Sequence, residues 1–124
     1  MLRELLLVGA GGAVGAVLRY LVTVLVGGTG AAGGAFPVAT LIVNGVGSFA
    51  LGLVAALLSR EAVDPMHKHL VAVGLLGALT TFSTFGLETV QLLEQGHAGK
   101  AASSVLANVA LALAAAWCGL RVGR

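Results

Sequence analysis

Residues 37–59 carry no charged side chain, and three further stretches, 5–26, 70–93 and 101–120, are nearly as apolar. A helix that crosses a bilayer needs about 20 mostly apolar residues. Four such runs predict four transmembrane helices. Strand-type alternation is absent and the runs are continuous, so helices are expected rather than a barrel. The connections are short. Residues 27–35 are glycine-rich, and Pro37 sits where a helix start tolerates its missing N–H. Residues 60–69 gather charged side chains, Pro65 and two histidines, and residues 96–100 form a polar turn. The expected architecture is a single all-α transmembrane domain over 1–124.

Composition closes off other classes. Of the 124 residues, 58% are hydrophobic and 10% charged. Average soluble domains are about 45–50% apolar and about 25% charged. A soluble chain this short cannot hide so much apolar surface and still cover itself with polar groups. A soluble enzyme, a disordered tail and a nucleic-acid binder are excluded. The net charge of +2 arises from only seven Lys and Arg, which form no cluster. Arg3, Arg60, Lys68, Arg121 and Arg124 fall on the side of the termini, against Lys100 on the other. That bias predicts a multi-pass protein of the plasma membrane with both termini inside. The N-terminal run leads into more apolar segments, so it reads as a retained helix and not a signal peptide. Cys118, beside Trp117, is expected to be a buried, inert thiol. His67, His69 and His97 have no partners at metal-ligand spacing.

Small residues are dense: Gly9, Gly11, Gly12 and Gly15 in the first run, Gly45, Gly47 and Gly52 in the second, Gly74, Gly77 and Gly86 in the third. Gly11 and Gly15 have the small-xxx-small spacing that lets helix backbones approach closely in lipid. The early glycines lack dinucleotide-loop spacing, and no strand precedes them.

In so apolar a chain, information sits in polar residues placed mid-span. Asn44 needs partners in hydrocarbon: its amide is either glue between helices or a donor to an anion. Residues 80–85 combine Thr80, Thr81, Ser83 and Thr84 with Phe82 and Phe85. Such hydroxyls compete for backbone carbonyls, and Gly77 lowers helix propensity just before them. A distorted or broken helix is expected there, and its freed carbonyls and amides can hold ions. Phe82 and Phe85, three apart, share a helix face. Arg19 either snorkels to an interface or concentrates anions in a vestibule. Glu88, three residues after Phe85, either caps a hydrated vestibule or pairs with a basic group. Asn108, with Ser103 and Ser104 before it, extends a polar track on the fourth run. No nucleophile–base set is present, so no enzymatic activity is expected.

These residues carry a family resemblance. Residues 39–49, Ala-Thr-Leu-Ile-Val-Asn-Gly-Val-Gly-Ser-Phe, and 77–85, Gly-Ala-Leu-Thr-Thr-Phe-Ser-Thr-Phe, resemble the Fluc fluoride channels, also called CrcB proteins. The glycine run ending in Leu18-Arg19-Tyr20 fits the same pattern, and the likeness covers the whole chain. It implies four-helix subunits paired as an antiparallel dimer, with the third helix broken at its middle. It implies a passive, fluoride-selective path through Asn44, Phe82, Phe85, Ser83, Thr84 and Asn108, with Arg19 and Glu88 at the vestibules. It also implies a structural, untransported Na+ at the dimer centre, held by carbonyls of Gly77 and Thr80 from both subunits. Gly77 is expected to serve unusual dihedrals or close approach across the two-fold axis. Ala39 and Ala112 stand where the family often has glycine and serine. The charge bias leaves two partners open, a second copy or an oppositely oriented paralogue.

Two other functions fit four short helices. A small multidrug-type secondary transporter requires a mid-membrane carboxylate, and Glu88 is the one acid within the four runs. A structural assembly subunit does not require the hydroxyl–phenylalanine string.

Overall fold

The computed structural model describes residues 1–27 and 32–124. Residues 28–31, part of the glycine-rich connection, lie outside the described residues. Among the described residues, four helices are long and apolar enough to cross a membrane: α1 (Leu2–Leu25), α2 (Val38–Ser59), α3 (Lys68–Glu94) and α4 (Ala98–Val122). At about 1.5 Å per residue each exceeds the roughly 30 Å hydrocarbon layer.

Local chemistry sets the ends. Pro37 precedes α2 with φ −78°, which suits a ring that fixes φ and lacks an N–H. Before α3, the Asp64 carboxylate accepts the Met66 N–H at 2.7 Å, closing a turn onto the helix. After α3, Gly96 takes φ +78°. The Gly96 N–H then reaches the Leu93 carbonyl at 3.0 Å, and the His97 N–H reaches Leu92 at 2.8 Å. This helix stop needs a left-handed residue, which glycine supplies without strain.

The helices pair by small residues. A methyl group on Gly11 or Gly15 would strike the carbonyl oxygens of Leu70 or Leu75. One on Gly74 would stand 2.7 Å from the Val8 carbonyl. On α4, one on Gly119 would stand 2.8 Å from the Leu53 nitrogen and would strike the Phe49 carbonyl. Gly9 and Gly86, by contrast, have open space. Contacts climb together along each pair. Arg3 touches Met66 and Arg19 reaches Thr80. Asn44 touches Asn108, and Arg60 reaches the carbonyls of Gly123 and Arg124. So α1 runs parallel to α3, and α2 runs parallel to α4, while α1 and α2 share few contacts.

Within α3, residues Lys68–Leu76 have the wider π-type hydrogen bonding, followed by one α-helical turn at Gly77–Leu79. Thr80 (φ −76°, ψ 156°) and Thr81 (φ −151°, ψ 117°) are extended, and regular helix resumes over Phe82–Glu94. The segment before these two residues lies along α1, and the segment after them turns to α4. Val43, Leu76 and Leu79 form the buried apolar cluster beside this point. Gly77 has ordinary helical dihedrals (φ −62°, ψ −34°), so the backbone-conformation reason for glycine there falls away. Cys118 corrects another expectation: it is exposed on α4.

Candidate functional site

Helical spacing of four brings Thr40, Asn44 and Ser48 onto one face of α2, and Ser104, Asn108 and Ala112 onto one face of α4. Thr81, Phe85 and Glu88 lie along one face where α3 resumes. These three columns meet. The Asn44 amide nitrogen donates to the Thr81 carbonyl and to the Asn108 side-chain oxygen, both at 3.1 Å. Its oxygen accepts the Thr81 N–H at 2.8 Å. Asn108 in turn donates to the Ser104 carbonyl at 3.1 Å. The Thr81 hydroxyl accepts the Thr84 N–H at 3.2 Å, capping the second segment of α3, and donates to the Thr84 hydroxyl at 2.9 Å.

An open groove of about 360 Å³ lies over this cluster. Asn44, Thr81 and Asn108 supply polar lining, and Phe82, Phe85 and Leu113 supply apolar lining. The two phenylalanine rings are 5.5 Å apart and tilted by 57°, within the range of favourable aromatic pairs. Phe85 is 9% exposed but Phe82 is 83% exposed, so its ring stands clear of its own subunit. Ser83 is exposed and Thr84 half-buried. Ala112 also lines the groove, so that wall lacks a hydroxyl.

One turn away, Glu88 is 3% exposed and accepts a 2.6 Å hydrogen bond from Thr40. Within the subunit it therefore lies in the packed interior, paired with a hydroxyl. Ser104 is 0% exposed, and its hydroxyl has no partner among the described residues. Ser103 lies apart, exposed and bonded back to the Gly99 carbonyl. Arg19, half-buried, points its guanidinium at the Thr80 carbonyl, 3.5 Å away. The sequence reading missed Thr40 and Ser48; the four-residue spacing around Asn44 was the available signal.

The extended residues also release carbonyls. In a continuous helix the Thr81 N–H would bond the Gly77 carbonyl, and the Thr84 N–H would bond that of Thr80. Here those N–H groups go to Asn44 and to the Thr81 hydroxyl. Oxygens freed in this way suit a hard cation.

Fold and site together define a small multi-pass membrane protein whose hydroxyls, amides and paired aromatic rings converge where the third span leaves helical geometry. Residues 6–120 match the family described as "CrcB-like protein, Camphor Resistance (CrcB)", and the chain belongs to it. Several curated relatives carry the description "Fluoride-specific ion channel FluC". That of Shewanella amazonensis is 48% identical over 121 residues, covering 95% of this chain and 94% of the relative. That of Shewanella denitrificans is 50% identical over 110 residues, covering 89% and 87%. That of Shewanella oneidensis is 46% identical over 112 residues, covering 90% and 89%.

Proposed function

We propose that this chain is a fluoride-selective channel of the plasma membrane that lets the anion leave the cytoplasm passively and so lowers its toxicity. The observation that carries this reading is the groove where Phe82 and Phe85 face the hydrogen-bonded cluster of Asn44, Thr81 and Asn108. The relatives' description supports it. Fluoride is small and strongly hydrated, so a pore must replace its water with donors. The hydroxyls of Ser83 and Thr84 stand at the start of the second α3 segment to do so. Aromatic ring edges carry partial positive charge, and Phe82 and Phe85 can present theirs to an anion. Exclusion of the larger chloride would fall to a path narrower than this open groove, completed by a second subunit. Several weak stations in series let the ion enter and also leave.

The working unit in this proposal is an antiparallel dimer, of two copies or of this chain with an oppositely oriented paralogue. The single transmembrane domain spans 1–124, and the extended Thr80 and Thr81 are the break at mid-membrane. The exposed ring of Phe82 supports pairing, because a partner would complete its surroundings. Gly77 and Thr80 are the residues that would hold a structural Na+: both carbonyls have lost their helical N–H partners, and the Thr80 oxygen would have to exchange its long contact with the Arg19 guanidinium for the ion. When bound, that ion supplies a fixed positive charge in a low-dielectric setting. The family resemblance assigns two oxygens per subunit, those of Gly77 and Thr80, so a second subunit is needed to complete the set. Arg19 belongs to the approaches and draws anions towards the Thr80 end; Glu88, expected at a vestibule, is instead buried against Thr40, off the groove, at the other end of the polar column.

Efflux from proteoliposomes tests the proposal. Rapid fluoride efflux with little chloride efflux, unchanged by a proton gradient, is expected. Flux that requires the gradient would instead identify a small multidrug-type secondary transporter, and no fluoride flux would refute both.

A further inference from the structure

Thr81 presents its N–H and carbonyl in an extended conformation. In a sheet, an extended residue has both groups satisfied by one residue of the neighbouring strand. Here the Asn44 side chain takes that part. Its oxygen accepts the Thr81 N–H and its nitrogen donates to the Thr81 carbonyl. A side-chain amide has two N–H donors. The second N–H has the Asn108 oxygen as its acceptor. Asn108 is oriented by donating to the Ser104 carbonyl, a group that can only accept. The polarity of the chain is therefore set from Ser104 through Asn108 to Asn44 and Thr81. Reversing the Asn44 amide would set N–H against N–H at Thr81 and oxygen against oxygen at Asn108.

We infer that Asn44 is a positioning residue, which clamps Thr81 in its extended form, and that Asn108 fixes the sense of the clamp. Its flux test rests on the channel reading. The clamp holds the Thr81 N–H away from Gly77 and sets where the helix restarts, and so where Phe82 and Phe85 stand. An Asn44 that served the ion directly would have to release the Thr81 carbonyl or Asn108, leaving a buried acceptor unpaired.

Hydrogen exchange on the assembled protein, followed by mass spectrometry over residues 80–85, tests the clamp without fluoride. Asn44→Ala should speed exchange in that segment by about tenfold or more, the scale of a lost hydrogen bond with its unpaired partner. Asn108→Ala, which leaves the clamp but frees its orientation, should give a smaller rise of about threefold. In flux assays of Asn44→Ala, the maximal rate should fall while the half-saturating fluoride concentration stays within about twofold. Unchanged exchange, or a raised half-saturating concentration at constant maximal rate, would overturn the inference. Should Asn44→Ala not assemble, wild-type protein decides: saturating fluoride should leave exchange over residues 80–85 unchanged or slower. Acceleration by fluoride would show that the ion draws the amide away from Thr81. A wild type that carries no fluoride defeats the channel reading, whereas the exchange comparison still judges the clamp.

Discussion

Gly77→Val places a branched side chain on the exposed face of α3, one turn before the extended residues. Inside the subunit the change is nearly free. A Cβ at this position meets only the Ala72 carbonyl oxygen, at 3.8 Å, an ordinary contact. The helical dihedrals of Gly77 suit valine, and valine exceeds glycine in helix propensity by roughly 0.3 kcal/mol. The stability of the single subunit should therefore move by less than about 0.5 kcal/mol. The proposed dimer is another matter. With two Gly77 carbonyls converging on one cation, both valines crowd the two-fold axis. Overpacking costs roughly 1–3 kcal/mol per site, so about 2–6 kcal/mol per dimer. That corresponds to dimerisation weakened by roughly 30-fold to more than 10,000-fold. Energy transfer between labelled subunits, measured over a lipid-dilution series, reads this directly, with thermal unfolding as the control on the subunit. Dimerisation within about threefold of wild type, together with undiminished fluoride flux, would refute the placement of Gly77 at a shared centre.

Phe82→Ile and Phe85→Ile should each lower fluoride flux by about tenfold with assembly intact, because isoleucine keeps bulk but loses the polarised ring edge; normal flux in both would remove the aromatic wall from the pathway. Asn44→Asp should suppress flux more than Asn44→Ser, since a carboxylate keeps an acceptor for the Thr81 N–H but has no donor for the Thr81 carbonyl or Asn108; equal flux in the two variants counts against this. Thr40→Val should destabilise the fold by about 1–2 kcal/mol by stranding the buried Glu88, and a double-mutant cycle with Glu88→Ala, which removes the acceptor, that shows additivity would contradict the coupling. Thr80→Ser should be mild, as its hydroxyl is returned to the Leu76 carbonyl and not to the groove; a flux loss of tenfold or more would assign the side chain a direct role.

Much of this molecule is written in one-dimensional pattern. The four spans follow from the apolar runs, because hydrocarbon leaves a helix no other way to satisfy its backbone. The hydroxyl cluster at residues 80–84 coincides with the two extended residues, since Thr81 can cap a restarting helix. The spacing of Gly11 and Gly15 announced a close helix contact but not that α3 would supply it, and Gly9 nearby has open space among the described residues. Other features depend on residues far apart in the chain. The π-type winding of Lys68–Leu76 follows no recognisable motif, since good helix formers alternate there with His69, Val71, Val73 and Gly74. The Thr40–Glu88 and Asn44–Thr81 bonds join positions 48 and 37 residues apart. Only the packed helices decide which hydroxyl meets the carboxylate. Gly77 suggested a backbone need that its dihedrals do not have, and Cys118 suggested burial because an apolar neighbourhood in sequence also describes a face turned to lipid.

The parallel pairing of α1 with α3 and of α2 with α4 has a consequence for how the chain is made. Each helix finds its main neighbour two spans later, and the first two helices leave the ribosome with little to hold them to each other. The glycine faces of α1 stay unmatched until α3 enters the bilayer, and α2 waits for α4. Insertion and folding are thus separated in time: the first half of the polypeptide must reside in the membrane as loosely tethered helices, and the second half arrives as the template that closes around it. The connection at residues 60–67, which joins the two halves on the surface, is then the natural place to cut the chain. Two hairpins expressed together should find each other and rebuild the subunit.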